Sequence, residues 1–408
     1  MSLSCAFCKA PLEHTFVDLG KTPLANRYLT KEMLSQPEPS YPLHARVCAK
    51  CLLVQVEPAV PAEEIFGDYA YFSSFSSSWL EHAKRFTQGA TQRFKLDSKS
   101  RVIEVASNDG YLLKNFVAAG IPCLGVEPAR NIAALANKAG IPTEAVFFGE
   151  ETAKRILARD GAADLMVGNN VLAHVPDIND FVGGFATLLA LKGAISIEVP
   201  HILKLIEQTA FDTIYHEHYS YYSFFTLEKI FAAHGMQIFD VEELTTHGGS
   251  LRIWACHDKA HAITPAIEKM RQKEAAAGLD KLDGYRGFEA KVKQICQGFS
   301  DFIKQQRGKQ IAAYGAAAKG NTLLNVCGIK ADQIAYVCDL NPAKQGHYLP
   351  GSHIPIFSPD KIKETKPDFV VILPWNIAAE VTQQMKEITS WGGQFVTAIP
   401  SLQTKKAA

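Results

Sequence analysis

Residues 101–110 read Arg-Val-Ile-Glu-Val-Ala-Ser-Asn-Asp-Gly. Arg101–Ala106 (RVIEVA) is apolar and β-branched except at Arg101 and Glu104, as in a strand buried on both faces. Ser107–Gly110 forms a turn, and an amphipathic helical pattern follows it. A strand that passes through a tight loop into a helix brings backbone N–H groups against a ligand's polar groups. Pro122–Glu127 (PCLGVE), Asp164–Val167 (DLMV) and Ala194–Val199 (AISIEV) are further short apolar strands separated by helical patterns. Such alternation specifies a parallel sheet covered on both faces. Gln237–Leu244 and Ser250–Cys256 flank His247-Gly248-Gly249 and read as a hairpin at the sheet edge.

A second series of strands lies further on, at Ile311–Gly315, Ile334–Asp339, Phe369–Pro374 and Gln394–Pro400. Between the two series, residues 262–306 are helical, with Tyr285, Phe288, Val292, Ile295, Phe299 and Phe302 on one core-facing stripe. Residues 1–78 read as irregular, closing on Ser76–Ser78, a helix N-cap before a face of Leu80, Ala83, Phe86, Ala90 and Phe94. The predicted architecture is α/β: a small module over 1–78, a doubly wound domain over 79–258 and a second over 259–408. A chain of 408 residues is long enough for this division.

Lys+Arg and Asp+Glu both number 42, so the net charge is 42 − 42 = 0. An overall basic surface for nucleic acid is excluded. No run reaches the roughly eighteen apolar residues of a membrane span. The start, MSLSCAFCK, lacks the basic and apolar blocks of a signal peptide. A cytoplasmic location is expected.

Four of the nine cysteines form two pairs, Cys5-x-x-Cys8 and Cys48-x-x-Cys51. That spacing predicts a tetrahedral thiolate site for zinc, which would also brace a loop-rich module. With four protein ligands no position stays open for water, so the metal is structural. The remaining five cysteines show no spacing pattern and read as small buried residues.

In the loop after the first strand of the doubly wound domain, Glu104, Ser107, Asn108, Asp109 and Gly110 are cofactor candidates. Glu127, with Pro128 beside it, ends the next strand, where a carboxylate can hydrogen-bond a ribose diol. The loop has one glycine and not the G-x-G-x-x-G of a dinucleotide fold, so the Glu104–Glu127 pairing suits S-adenosylmethionine better. Asn169 and Asn170 lie at a later strand's carboxyl end, where open α/β sheets bind ligands. The order of segments matches class I methyltransferases.

Tyr215-His216-Glu217-His218-Tyr219 places four titratable rings around one carboxylate. Histidine is the usual general base near neutral pH, and a nearby carboxylate orients it. Tyr314-Gly315 through Lys319-Gly320-Asn321 joins small residues, a lysine and a helix start, a seat for a diphosphate or a packing feature.

Taken together, these residues resemble the sugar-nucleotide C-methyltransferases of deoxysugar biosynthesis. The resemblance spans nearly the whole chain. It adds Asp18-Leu19-Gly20, Pro23-Leu24, Tyr69-Ala70-Tyr71-Phe72-Ser73-Ser74 and Asp339 to Lys344 to the motifs above. It implies a zinc-binding module, a methyltransferase domain and a C-terminal Rossmann-like domain. A nucleoside-diphosphate-linked 4-keto-deoxysugar would occupy the cleft between them and receive a methyl group on C3. Neither the nucleotide base nor the number of subunits is fixed by the sequence. By the family counterpart, His218 is the base, Glu217 orients or polarises, and Tyr215 contacts the sugar or its enolate. Tyr71 and His247 line the same cleft, and Ser73, Ser74, Lys319 and Asn321 are substrate-binding candidates. Two positions depart from the family pattern. Ala106 and Ser107 stand where glycine and cysteine are usual, and His216 where an acid is common.

Two other classes remain open. An O- or N-methyltransferase would share the cofactor loop but need no ketone. A zinc-containing binding module for nucleic acid or protein would need a basic stripe with aromatics near the cysteines, and residues 1–60 hold no run of lysines or arginines.

Overall fold

A computed structural model describes residues 3–66, 74 and 77–405. Strands β1 (His14–Thr22), β2 (Tyr41–Val47) and β3 (Val54–Val56) pair antiparallel near the start of the chain. The stretch expected to be irregular is thus partly sheet. Bulges in the β1–β2 register, at Thr15/Val17 and Asp18/Lys21, break the period-two pattern that would have revealed β1. In β2 the alternation survives, with Leu43, Ala45 and Val47 buried.

The first doubly wound sheet begins with β4 (Val102–Val105), β5 (Cys123–Val126), β6 (Thr143–Glu144), β7 (Ala163–Asn169) and β8 (Leu189–Pro200), all parallel. Then β9 (Ser220–Tyr221) leaves this sheet and pairs with β3. The expected hairpin follows as β10 (Met236–Leu244) and β11 (Ser250–His257), with β11 antiparallel to β8. The order is β10-β11-β8-β7-β4-β5-β6. The chain runs outward one way from β4 and then restarts on its other side at β7. That switch point opens a crevice at the carboxyl ends of β4 and β7.

The predicted helical stretch 262–306 divides into Pro265–Ala276 and Phe288–Gln305. Tyr285 belongs to a 3₁₀ turn between them, because Gly278 (φ 77°) and Gly287 (φ 80°) take left-handed conformations that interrupt the helix. It still joins Phe288, Val292, Phe299 and Phe302 in one core. Phe288 stacks on Phe16 of β1, ring centroids 4.5 Å apart, so this helix fastens the N-terminal sheet. Glu274 is fully buried and accepts the N–H groups of Phe224 and Phe225 at the start of the helix Phe224–Ala233. It also bonds His201 Nε2 at 2.7 Å, locking the helix Pro265–Ala276 to the first doubly wound sheet.

The last sheet has β12 (Ile311–Tyr314), β13 (Val337–Cys338), β14 (Ile356–Phe357), β15 (Phe369–Ile372), β16 (Gln394–Thr397) and β17 (Gln403–Lys405). Its order is β14-β13-β12-β15-β16-β17, parallel except for β17. Among the described residues, no helix is long and apolar enough to cross a membrane.

Candidate active site

The loop after β4 turns sharply. Ala106, Asn108 and Gly110 all have positive φ, at 55°, 50° and 78°. Gly110 cannot carry a side chain, since a Cβ there would lie 2.4 Å from Ile141 Cδ1. Glu127, at the end of β5, accepts from Asn108 N and Ala129 N at 2.9 Å each, which fixes its carboxylate beside the loop. Pro128 is half-buried next to it. Ser107 is fully buried, over Gly125 of β5.

Polar atoms converge on this crevice. Both oxygens of Glu104, both amide atoms of Asn169, Oδ1 of Asn170, Oδ1 of Asp109 and Oγ of Ser107 are buried without a partner among the described residues. Buried polar groups are normally satisfied, so such a concentration at strand ends marks a ligand seat. Burial and the nearby Glu127 and Asp109 charges push the Glu104 carboxyl well above the usual range. Burial also raises Glu127, opposed by its two backbone donors. These residues fit S-adenosylmethionine, which offers a ribose diol and an ammonium group. Asp109 also accepts Ser74 N through Oδ2 at 3.2 Å, and Ser74 is exposed. Tyr71 and Ser73 lie outside the described residues.

Beyond β7, the turn Leu172–His174 meets the segment 211–223. Tyr219 N donates to Ala173 O at 2.7 Å and the Tyr222 hydroxyl to Leu172 O at 2.9 Å. These bonds hold the segment carrying His218 against the turn that follows Asn169 and Asn170. His218 Nδ1 lies 2.8 Å from Thr213 O, a carbonyl that only accepts, so Nδ1 carries the hydrogen. Its Nε2 lone pair then accepts the Tyr215 hydroxyl at 2.8 Å. Burial, with the His174 ring also opposing charge, holds His218 well below the usual imidazole range. His218 and Tyr215 are nonetheless half-buried and not fully enclosed.

His174 was not singled out in the sequence. Its ring meets His218 edge to face at 4.6 Å, and burial lowers its pKa to about 4 against a bond to the Glu217 backbone carbonyl. The only sequence signal was an imidazole in the otherwise apolar turn Val171-Leu172-Ala173-His174. His216 turns away from this cluster. It is buried against β2, with Nε2 3.2 Å from Pro42 O and its ring against Tyr41. The departure from the family pattern at this position therefore alters a packing contact.

A ring stack and a charge network form the opposite wall. Trp79 stacks on His82 (4.8 Å) and Tyr111 (6.0 Å) and meets His247 edge-on (5.6 Å). His82 Nε2 bonds both Glu198 oxygens, at 2.9 and 3.0 Å, and Glu198 also takes the Arg252 guanidinium. Burial alone would raise Glu198, but the His82 bond and the Arg252 charge hold it low. Trp79, His82, Glu198 and Arg252 were not legible as a group, because they come from three separate elements, the helix Ser77–Phe94 and the strands β8 and β11.

The segments that follow β12 and β15 contribute Lys319, on the helix Ala318–Val326, and Trp375, in the turn Trp375–Ile377. Trp375 Nε1 donates to the fully buried Asp212 at 2.8 Å, and Lys319 Nζ lies 5.3 Å from the Trp375 ring centroid. Burial raises Asp212 to about 6, with Lys319 and the indole bond opposing. Lys319 Nζ also reaches His247 O at 3.4 Å, which brings His247 and Lys319 together at the cleft. Asn321 is buried, with Nδ2 bonded to Ala25 O at 2.6 Å and Oδ1 meeting no partner among the described residues. The preceding loop is also committed, since Ala316 N donates to Asp339 Oδ2 at 2.8 Å.

The four paired cysteines converge. Their sulfurs lie within 4.8 Å of one another, with Cys5–Cys51 and Cys8–Cys48 at 3.5 Å. A tetrahedron of Zn–S bonds of about 2.3 Å sets its sulfurs about 3.8 Å apart, so the set fits zinc. The two turns are alike. Lys9 and Leu52 follow their pairs at φ 60° and 67°, and each N–H returns to the carbonyl of its pair's first cysteine.

The strand order, the acidic loop and the polar crevice define a class I methyltransferase that uses S-adenosylmethionine. Family profiles match a zinc binding domain over residues 5–66, a methyltransferase domain over 79–241 and a C-methyltransferase C-terminal domain over 245–400. The C-methyltransferase NovU of Streptomyces niveus is 35% identical over 387 residues, covering 94% of this chain and 92% of that protein. The chain belongs to this C-methyltransferase family, and it is an S-adenosylmethionine-dependent C-methyltransferase. It is also similar to two solved structures. Magnesium protoporphyrin IX methyltransferase (ChlM) of Synechocystis PCC 6803 is 14% identical, with 48% of this chain and 89% of that chain covered and a TM-score of 0.33. A methyltransferase of Anabaena variabilis is 16% identical, with 43% and 85% covered and a TM-score of 0.35.

Proposed function

We propose that the enzyme methylates C3 of a nucleoside-diphosphate-linked 4-keto-deoxysugar held in the cleft. The Tyr215–His218 pair carries this reading, because it supplies a neutral base and a hydroxyl donor side by side. Bound S-adenosylmethionine would supply the electrophilic methyl group. Carbon methylation needs a carbanion equivalent, and a C–H bond acquires the necessary acidity only beside a carbonyl. His218 Nε2 takes the C3 proton, and the bonding pair moves into an enolate with its charge on the C4 oxygen. Tyr215 turns its hydroxyl from Nε2 to that oxygen. Thr213 O holds the charged imidazole through Nδ1–H. A positioned base contributes about 10²–10⁴-fold, and a donor at the oxyanion about 10²–10³-fold.

In this reading Glu217 orients the sugar, His247 and Tyr71 border it, and Lys319 with Ser73 and Ser74 takes the diphosphate. Glu104, Ser107, Asn108, Asp109, Gly110, Glu127, Pro128, Asn169 and Asn170 hold the cofactor. The division of labour follows residues 1–78, 79–258 and 259–408, with catalysis in the cytoplasm. The likeness to a C-methyltransferase favours this over oxygen or nitrogen transfer.

The test is turnover of a panel of nucleoside-diphosphate sugars, with and without a 4-keto group, and NMR of the product. A new methyl carbon on C3, formed only from ketosugars, is expected. Methyl transfer to oxygen or nitrogen of sugars without the ketone would overturn the reading.

A further inference from the structure

Glu217 is held by a residue of another part of the chain, 191 positions earlier. Asn26 Nδ2 lies 2.7 Å from Glu217 Oε1 and 2.9 Å from Oε2, so one amide N–H is shared between the two oxygens. Asn26 sits in the loop between β1 and β2, whose outer ends run into the Cys8 and Cys48 turns. The loop is itself tied down. Ala25 O accepts Asn321 Nδ2 at 2.6 Å, and Leu29 exchanges two backbone bonds with Tyr348, both 2.9 Å. The Tyr28 hydroxyl donates to Ala316 O at 2.7 Å and lies 3.4 Å from Asn26 Oδ1. The amide nitrogen, the only donor of the Asn26 side chain, faces the Glu217 carboxylate.

We propose that Asn26 is the positioning residue for the Glu217 carboxylate, so that the zinc-bearing module and the C-terminal domain jointly complete the active site. A glutamate side chain has three rotatable bonds, and a short amide donor shared between its two oxygens restrains that freedom. A carboxylate held this way presents its remaining lone pairs in one direction. Misplacement of a catalytic group by about 1 Å costs about 10²-fold in rate. The proposal rests on Glu217 facing the reacting sugar, as above.

The test compares Asn26→Ala, Asn26→Asp, Glu217→Gln and the doubles N26A/E217Q and N26D/E217Q with wild type for zinc content, Tm, KM and kcat. Asn26→Ala is expected to lower kcat about 10–100-fold, with zinc content and the KM for S-adenosylmethionine unchanged. Added to Glu217→Gln, it should cost nothing further, since its effect runs through the carboxylate. In N26D/E217Q the amide and the carboxylate exchange places, so Tm recovers relative to Asn26→Asp while kcat does not. Recovery of both, or an additive loss in N26A/E217Q, would overturn the proposal and make the pair a structural strut. If wild type methylates no nucleoside-diphosphate sugar, the substrate reading fails on its own. A crystal structure of Asn26→Ala then decides: a displaced Glu217 upholds the positioning role, and an unmoved one refutes it. Should Asn26→Ala not fold, Asn26→Ser, which keeps a shorter donor, replaces it.

Discussion

The Tyr215 hydroxyl donates to the bare Nε2 of His218 at 2.8 Å. The hydrogen bond parks the phenol on the base while no substrate is present. In the proposed reaction the same hydroxyl is then close to any oxygen next to the carbon that His218 would deprotonate. Tyr215→Phe keeps the ring and the base but removes the oxyanion donor. Its kcat should fall about 10²-fold, with S-adenosylmethionine affinity by calorimetry unchanged. An undiminished kcat would remove Tyr215 from the chemistry.

Glu104 sets a pH dependence. Its carboxyl is raised in the folded state, so its contribution to stability is full below the ordinary carboxylate pKa and is lost as pH rises through the raised value. The protein without cofactor should therefore lose stability from this group as the pH is raised above the ordinary carboxylate range, a comparison made at about pH 5 and about pH 8. Glu104→Gln removes the buried charge and should raise Tm at pH 8, by about 2–4 °C for each kcal/mol regained. It should also weaken S-adenosylmethionine about 10–100-fold, the worth of a hydrogen bond to a charged group. Melting curves at both pH values and calorimetry check the two effects, and a lower Tm at pH 8 would contradict the first.

Ala106 is a non-glycine residue at φ 55°. A left-handed L-residue costs about 1–2 kcal/mol, and glycine returns part of that gain through the flexibility of the unfolded chain. Ala106→Gly should stabilise the protein by about 0.5–1 kcal/mol, read as a higher urea midpoint with cofactor affinity retained. A lower midpoint would show that the methyl group packs better than the geometry implies.

Metal analysis should find about one zinc per chain. Cys48→Ser should lower stability by at least about 3 kcal/mol, since a structural zinc site contributes directly to folding. It should also lower kcat, because the loop carrying Asn26 loses its brace. A zinc-free preparation with wild-type Tm and kcat would contradict both expectations.

The parts of this molecule readable from sequence are those written locally. The strand at 102–105 announces itself by continuous apolar residues and the loop at 107–110 by turn formers, while the cysteine pairs need only their spacing. Long-range pairing was not readable. Ser220–Tyr221 joins a sheet whose other strands end at Val56, and nothing near Ser220 encodes that partner. The bulges in the β1–β2 register hid a strand for the same reason. In the site, Tyr215 and His218 stand in one short motif. Asn26, His82, His174 and Glu198 are single polar residues in unrelated elements, and only packing brings them to the cleft. The bond from Asn321 to Ala25 O was not legible either, because a helix start fixes a residue's position but not which way its side chain turns.

The most direct measurement follows the C3 hydrogen. Wild-type enzyme, its 4-keto sugar substrate and S-adenosylhomocysteine are incubated in D₂O, and NMR records deuterium entering C3 without methyl transfer. Wild type should exchange. His218→Asn should exchange about 10²–10⁴-fold more slowly while binding S-adenosylmethionine as tightly. Exchange at the wild-type rate in His218→Asn would contradict the assignment of the imidazole as the base.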